Sequence, residues 1–489
     1  MPAGVVNSAS RFMAHPPLLR LLIGGKLLKG GSTFTVLNPA TGKELLQCPS
    51  ATPEQLNDAI KSASKAFTTF GSKVSIKERE KMLFNAADKI AEHSDELAHW
   101  LTLEQGKPLR DARFEVRATV DQMKLKQDTS VIDSKILRDT NKERATLVYK
   151  PLGVVGAIAP WNFPLLIAAT KVSIAVLTGN TVVFKPSPCT PVTSLMMGSI
   201  IHECFPPGVV NVIAGGNDIG ERLVAHPDIA KISFTGSVPT GKAIRKACTD
   251  HMKRCTLELG GNDPAIVLAD ADVPRAAKGI FSTAFANTGQ VCCAIKRVYV
   301  PRALHAEFCE SISGFAQAAT VGDGQEKATT HGPLQNKMQF NKVTELLQDT
   351  IANGATVHCG GLPTDLSGAG GYHFPLTVVS GVDDESRIVS EEQFGPVLPI
   401  LAYDTEEEAI ERANNTRFGL GSSVWGTDLD HCVDVGMQLN SGMMWVNKHL
   451  DLPATDPFGG HKESGLGREG GESGLKAYVE EQMVLVRKA

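Results

Sequence analysis

The stretch Val154-Val155-Gly156-Ala157-Ile158-Ala159 is followed, after Pro160-Trp161-Asn162-Phe163-Pro164, by Leu165-Leu166-Ile167-Ala168-Ala169-Thr170-Lys171-Val172-Ser173-Ile174-Ala175-Val176-Leu177. The first run is short, apolar on every residue and bounded by turn formers, which predicts a strand buried on both faces. The second is long enough for a helix and opens on a proline, a residue suited to a first helical position. The same alternation repeats outward: strands over Thr181 to Phe184, Val209 to Ile213 and Lys231 to Phe234, helices near Pro191 to Cys204, Asp218 to Ala225 and Thr240 to Asp250. A strand–helix alternation calls for a parallel sheet covered on both faces, with ligands at the carboxyl ends of its strands. After Gly261 a second set begins with Pro264 to Leu268 and a helix from Val273 to Ala286, predicting a second α/β domain.

The part before Leu152 reads as helical. Thr52-Pro53-Glu54-Gln55 combines an N-cap, a first-turn proline and a capping-box glutamine, and Ser75 with Glu78 repeats the signature. A helical stretch then runs to about Gln127, interrupted near Gly106-Lys107-Pro108. The 489 residues exceed what one core holds, and 42% hydrophobic with 21% charged residues describes an ordinary globular composition. A net charge of −4 without single-sign blocks gives no broad attraction to nucleic acid or anionic membrane, so a small-molecule partner is expected. The most apolar stretch, from Val154 to Leu177, is broken by Gly156, Pro160, Pro164 and Lys171, and no membrane span is expected. Ten cysteines at irregular spacing, without a C-x-x-C, predict neither a disulfide scaffold nor a metal site and fit a reducing compartment, the cytoplasm. The first acidic residue is Glu44, so the N-terminus has a faint transit-peptide character that leaves the mitochondrial matrix as the alternative.

Val291-Cys292-Cys293 stands some way after Leu257-Glu258-Leu259-Gly260-Gly261, pairing a thiol with a carboxylate. A thiolate is a strong nucleophile, and a carboxylate held near it can take a proton from the thiol or from water. Two other patterns mislead. Gly236-Ser237-Val238-Pro239-Thr240-Gly241-Lys242-Ala243 nearly spells a P-loop, but Ala243 replaces the hydroxyl that would hold magnesium. Gly465-Leu466-Gly467-Arg468-Glu469-Gly470 spells a dinucleotide fingerprint, yet polar His461-Lys462-Glu463-Ser464 precedes it where an apolar strand is required, so it reads as a glycine-rich loop.

Pro160-Trp161-Asn162-Phe163-Pro164, Phe184-Lys185-Pro186-Ser187, Phe234-Thr235-Gly236-Ser237, Leu257-Glu258-Leu259-Gly260-Gly261, Gly289-Gln290-Val291-Cys292 and Glu392-Gln393-Phe394-Gly395-Pro396-Val397 resemble the aldehyde dehydrogenase superfamily, in family order, from about Leu22 onward. The resemblance implies a Rossmann-like doubly wound domain for NAD, with NADP possible, built from residues 1–128 and 152–260. It further implies an α/β catalytic domain over 261–462 and a small β oligomerisation element from 129–151 and 463–489. Cys292 is then the nucleophile, Glu258 the base that activates water for thioester hydrolysis, and Asn162 the oxyanion donor. Trp161, Lys185, Ser187, Gly236, Ser237, Glu392 and Phe394 would contact the cofactor. Phe163, Ile167, Thr170, Val291, Cys293, Leu450, Leu452 and Phe458 would line an apolar aldehyde tunnel; no metal is expected.

Glu258 argues against a coenzyme A-acylating member, and the presence of Cys292, Glu258 and Asn162 together argues against a non-catalytic one. Thr170 is neither the arginine expected of a succinic-semialdehyde member nor the aromatic of a betaine-aldehyde member. Leu450 and Leu452 replace an aromatic pair, which predicts a wider tunnel. Pro188 stands where many NAD-specific members carry glutamate, leaving no acid at that position to oppose a 2′-phosphate. Strand-like Ala145 to Tyr149 and Met483 to Val486 are expected to form a sheet completed by another subunit, in a homodimer or homotetramer.

Overall fold

A computed structural model describes residues 16–488. Residues 1–15, the beginning of the N-terminal stretch read for transit-peptide character, lie outside them. Two large sheets dominate. The first has eight strands in the order Gly465–Leu466, Arg254–Glu258, Ile229–Thr235, Val154–Ile158, Thr181–Lys185, Val210–Val212, Leu21–Ile23 and Lys26–Leu28. Its five inner strands are parallel, and the flanking Gly465–Leu466 and Leu21–Ile23 run antiparallel to them. In chain order the parallel part of the sheet starts at Val154–Ile158, grows toward Val210–Val212, then returns to add Ile229–Thr235 on the other side. That reversal opens a crevice beyond the carboxyl ends of Val154–Ile158 and Ile229–Thr235, the place where such sheets bind ligands.

The predicted elements fall where the apolar runs put them. Helix Pro164–Leu177 starts at its proline and stops before Gly179, whose φ of +87° a side chain would resist. Helices Val192–Ile201, Asn217–Ala225 and Val238–Cys248 follow their strands. The seven-stranded second sheet runs Thr356–Cys359, Thr377–Ser380, Val397–Tyr403, Ile295–Pro301, Asp263–Val267, Gly421–Trp425, Met443–Val446, parallel except at Thr356–Cys359.

Three expectations need correction. The N-terminal part is not purely helical: Leu21–Ile23 and Lys26–Leu28 extend the first sheet, and Ser32–Asn38 pairs with Lys43–Ser50 as a hairpin. The helical stretch beyond Ser75 breaks at His93 as well as at Gly106, giving Ile76–Glu92, Ser94–Gln105 and Leu109–Lys124. Residues 463–478 were grouped with the C-terminal tail, but Gly465–Leu466 pairs with Leu257–Glu258 and Leu475 and Tyr478 are buried in the core of the first domain. The strand carrying Glu258 would otherwise be an open edge, and this segment supplies its missing hydrogen-bond partner. Only Val479–Arg487 joins the small sheet, beside Glu143–Pro151 and Lys135–Asp139.

Two buried carboxylates fasten the N-terminal helices to the sheet. Helices Pro164–Leu177 and Val192–Ile201 have no side-chain N-cap of their own, so their first N–H groups need acceptors from elsewhere. Glu115 Oε1 accepts from Leu165 N at 3.0 Å and Leu166 N at 3.3 Å. Glu104 accepts from Val192 N at 2.7 Å, Thr193 N at 2.9 Å and the Thr193 hydroxyl. Glu115 is neutralised by Lys107 at 2.5 Å, both fully buried, and the same ammonium donates to the Asn162 carbonyl at 2.9 Å. Glu115→Ala should therefore lower stability by about 3–5 kcal/mol, because it strands a buried cation and two helix N–H groups. Denaturant melts of Glu115→Ala and of an exposed control, Glu143→Ala, test this; equal midpoints would refute the anchoring role.

Candidate active site

The turn between Val154–Ile158 and Pro164–Leu177 carries Trp161, Asn162 and Phe163 to the mouth of the crevice. Asn162 is buried, and its Nδ2 donates to Gln290 O at 2.9 Å while its Oδ1 accepts from Phe163 N at 3.1 Å. One amide N–H is thus fixed on the chain and the second is left for a ligand oxygen. Gln290 belongs to the turn preceding Cys292, so this bond ties the Asn162 loop to the Cys292 loop. Asn287, which sequence reading passed over, reinforces the tie by donating to Asn162 O at 3.2 Å.

The Cys292 loop is held in unfavourable backbone. Asn287 and Thr288 have φ of 48° and 58°, a region a β-branched residue rarely enters. Thr288 Oγ1 donates to Gly332 O at 2.9 Å, and Gln290 Nε2 donates to Asn287 O at 2.9 Å, locking that conformation. Strain of this kind gathers where a side chain must be presented in one geometry. Cys292 itself is half-buried, whereas Cys293 is buried among Val291, Ala294 and Leu420. The Cys293 thiol donates to the Cys292 sulfur and Lys296 adds positive charge, and together they hold the Cys292 pKa below the ordinary thiol value against its burial. The same contact and burial raise that of Cys293.

Glu258 ends its strand beside Gly465 and is buried, and neither carboxylate oxygen has a hydrogen-bond partner. Burial first, then the neighbouring Glu469, raise its pKa well above the usual carboxylate range. Gly459 leaves it room, since a Cβ there would lie 2.8 Å from Glu258 Oε1. Behind it Lys171 pairs with Glu469 and donates to Ser233 Oγ at 3.1 Å, and Ser233 donates to Glu469 at 3.1 Å. Sequence reading missed Lys171 and Glu469. The available signal was a lysine inside an otherwise apolar helix, which must find a buried partner.

The proposed cofactor contacts ring the same crevice. Ser237 caps helix Val238–Cys248, and the Gly236 N–H donates to Glu258 O at 3.0 Å, so the turn beside the helix N-terminus is fastened to the Glu258 strand. A helix N-terminus behind a glycine turn suits a phosphate. Lys185 is buried with only its neighbour's Pro186 carbonyl at 3.4 Å, a cation with donors to spare; burial lowers its pKa to about 8. Ser187 Oγ accepts from Cys189 N at 3.2 Å. Glu392 Oε1 accepts from Gly261 N at 3.0 Å, and Phe394, at φ 52°, meets Trp161 edge-on at 5.3 Å. These donors, acceptors and rings fit a dinucleotide lying from Lys185 past Ser237 to Glu392.

Of the eight tunnel residues, Phe163, Val291, Cys293, Leu450 and Phe458 pack with Cys292 in one apolar cluster. Three do not. Ile167 packs against the core of the first domain, Thr170 turns its hydroxyl back to Leu166 O at 2.9 Å, and Leu452 is exposed, because their backbone positions lie a helical turn or a loop away from the cluster.

The Aldehyde dehydrogenase family model matches residues 28–484. The chain belongs to that family. It is 39% identical over 482 residues to a mitochondrial succinate-semialdehyde dehydrogenase of Arabidopsis thaliana, covering 97% of this chain and 90% of that one. It is 38% identical over 474 residues to retinal dehydrogenase 2 of Gallus gallus, covering 94% and 89%. Among solved structures, the NAD+ complex of an aldehyde dehydrogenase from Bacillus cereus superposes with a TM-score of 0.93 at 35% identity, covering 99% of both chains.

A position other than 188 does bring an acid near Lys185. Asp218, in the first turn of helix Asn217–Ala225, lies within electrostatic reach of the Lys185 ammonium and opposes its loss of charge. An acid there would disfavour a 2′-phosphate bound beside Lys185 even though position 188 holds proline. Asp218→Asn should raise the NADP-to-NAD ratio of kcat/KM by about tenfold, roughly the 1.4 kcal/mol of one partly screened charge. Because Lys185 is protonated below about 8, any turnover with NADP should fall relative to NAD as pH rises through that value. An unchanged ratio in Asp218→Asn would show that another group sets the preference.

Proposed function

We propose that this protein oxidises apolar aldehydes to carboxylic acids with NAD, and with NADP less well, through a thioester on Cys292. The observation that carries the reading is the contrast in one crevice between a thiol held toward its thiolate and a partnerless buried carboxylate, Glu258, held toward its acid. Opposite shifts in neighbouring groups are how one site assigns nucleophile and base. The Cys292 thiolate adds to the aldehyde carbon, and the new oxyanion takes hydrogen bonds from the second Asn162 amide N–H and the Cys292 backbone N–H. A bound nicotinamide cofactor supplies the acceptor for the hydride. Cys292 then carries an acyl group, and Glu258, once ionised, removes a proton from the water that attacks it. The Cys292 thiolate leaves, and the acid is released. Lys171, Ser233 and Glu469 give the proton on Glu258 a polar neighbourhood through which to leave.

The apolar cluster of Phe163, Val291, Leu450 and Phe458 supports an aldehyde without a distal charge. Thr170, its hydroxyl spent on Leu166, offers no cation for a second carboxylate, in contrast to what a semialdehyde acid would need. The small sheet supports a dimer or tetramer: it exposes Ile136, Leu137, Met483, Leu485 and Val486 beside unpaired edges, an apolar surface that a second subunit would cover. The ten cysteines, all free, suit the cytoplasm.

Cys292→Ala should abolish aldehyde oxidation with cofactor binding retained, while Cys293→Ala keeps turning over; exchanged phenotypes would move the nucleophile to Cys293. Glu258→Gln should release one stoichiometric burst of reduced cofactor and then stall, with the acyl adduct visible by intact mass. Sustained turnover in that variant would rule out Glu258 as the base. Since Glu258 must be ionised to act and its pKa is raised, deacylation in the unmutated enzyme should climb with pH well above the ordinary carboxylate range. Asn162→Ala should lower kcat by about 10²-fold or more, as loss of an oxyanion donor does.

A further inference from the structure

Lys296 opens a question that the chemistry above leaves unused. It sits near the start of strand Ile295–Pro301, four residues beyond Cys292, and its side chain is 4% exposed. Its ammonium donates to Val291 O at 2.8 Å, Cys292 O at 2.6 Å and Ala294 O at 3.3 Å. All three of its N–H donors are thus spent on the turn that presents the nucleophile. A neutral amide or a water could serve carbonyls equally well, and burying a cation costs several kcal/mol without a countercharge. The countercharge is Glu392, whose Oε1 lies 3.9 Å from Nζ. That carboxylate also accepts the Gly261 N–H, and a Cβ on Gly261 would lie 2.6 Å from Cys292 O, so the Lys296, Glu392 and Cys292 segments are packed against one another.

We propose that Lys296 is a positioning residue for the nucleophile: its ammonium clamps the Val291–Ala294 turn, so that the Cys292 sulfur faces the crevice, and its charge favours the thiolate. The inference rests on the reading of Cys292 as nucleophile. Groups facing that sulfur are the Cys293 thiol, Lys296, and the carboxyls of Glu392, Asp263 and Glu258. Lys296 is the positive charge among them, and it opposes the Glu392 and Asp263 carboxyls, which push the thiol toward its neutral form. Because Glu392 also belongs to the proposed cofactor contacts, one ammonium links the nucleophile turn to the cofactor site.

The test is the pH dependence of alkylation by iodoacetamide in the cofactor-free, intact oligomer, with the labelled cysteine identified by peptide mass spectrometry. Lys296→Gln keeps N–H donors for the carbonyls but removes the charge; Lys296→Arg keeps the charge. The midpoint of Cys292 labelling should rise by about one pH unit in Lys296→Gln, a tenfold slower reaction near neutrality, and return toward the unmutated value in Lys296→Arg. A midpoint unmoved in Lys296→Gln, with or without a lower melting temperature, overturns the proposal, and so does an Arg variant that behaves like the Gln one. If the unmutated enzyme is labelled at a cysteine other than Cys292, the nucleophile assignment itself falls, which the site of the adduct distinguishes from failure of the Lys296 role alone.

Discussion

The buried pair of Lys107 and Glu115 is the constraint on which the rest of the site depends. A helix that begins at the floor of a crevice has N–H groups without water, and the sequence around Pro164 supplies no residue to accept them. Glu115, from a helix distant in sequence, accepts two of them, and its charge is tolerable only because Lys107 lies against it. Lys107 then spends a second donor on the Asn162 carbonyl. Asn162, the proposed oxyanion donor, is in this way fixed from behind by the same ion pair that starts its helix. Glu104 repeats the device one helix further on, beyond Lys185 and Ser187.

Within the crevice, desolvation acts on every ionisable group and the local charges decide which way each one goes. Glu258 has no donor to offset its burial and drifts toward its neutral form. Glu392 is also raised by burial, but the Lys296 ammonium and the Gly261 N–H resist the shift. Cys292 moves the other way, since a thiol neighbour and a lysine outweigh its burial. A single low-dielectric cleft therefore holds a thiol shifted toward its thiolate and a carboxyl shifted toward its acid, which uniform burial alone would not produce.

The architecture was legible wherever it rests on local pattern. Parallel strands buried on both faces read as apolar runs, and capping boxes such as Thr52 with Gln55 announce their helices without tertiary help. Leu21–Ile23 and Gly465–Leu466 were invisible because two or three residues carry no periodicity and exist as strands only through distant partners. The candidate site divides in the same way. Cys292, Glu258 and Asn162 stand out by motif, and the fold gathers their segments. Lys107, Glu115, Lys171, Glu469 and Lys296 do not, because each acts through a partner far away in sequence or through backbone carbonyls. What they share is burial of a charge, and a buried charge always requires a partner.

The left-handed residues show where that long-range order is put to use. Of the seven left-handed non-glycine residues among those described, Asn287 and Thr288 lie on the loop before Cys292, Phe394 on the segment of the proposed cofactor contacts, and Leu450 in the apolar cluster with Cys292, with φ between 48° and 59°. None is glycine, so each conformation costs free energy and persists only because neighbours over-determine it. Thr288 is held by Gly332 O, and Phe394 by the Trp161 ring and by Gln339, whose amide donates to the Phe394 carbonyl at 3.1 Å. Leu450 is held by packing in the apolar cluster, and its loop continues into exposed Leu452. The left-handed backbone at Thr288 and Phe394 is therefore pinned by hydrogen bonds and a ring contact, whereas that at Leu450 rests on apolar packing, which has no preferred direction.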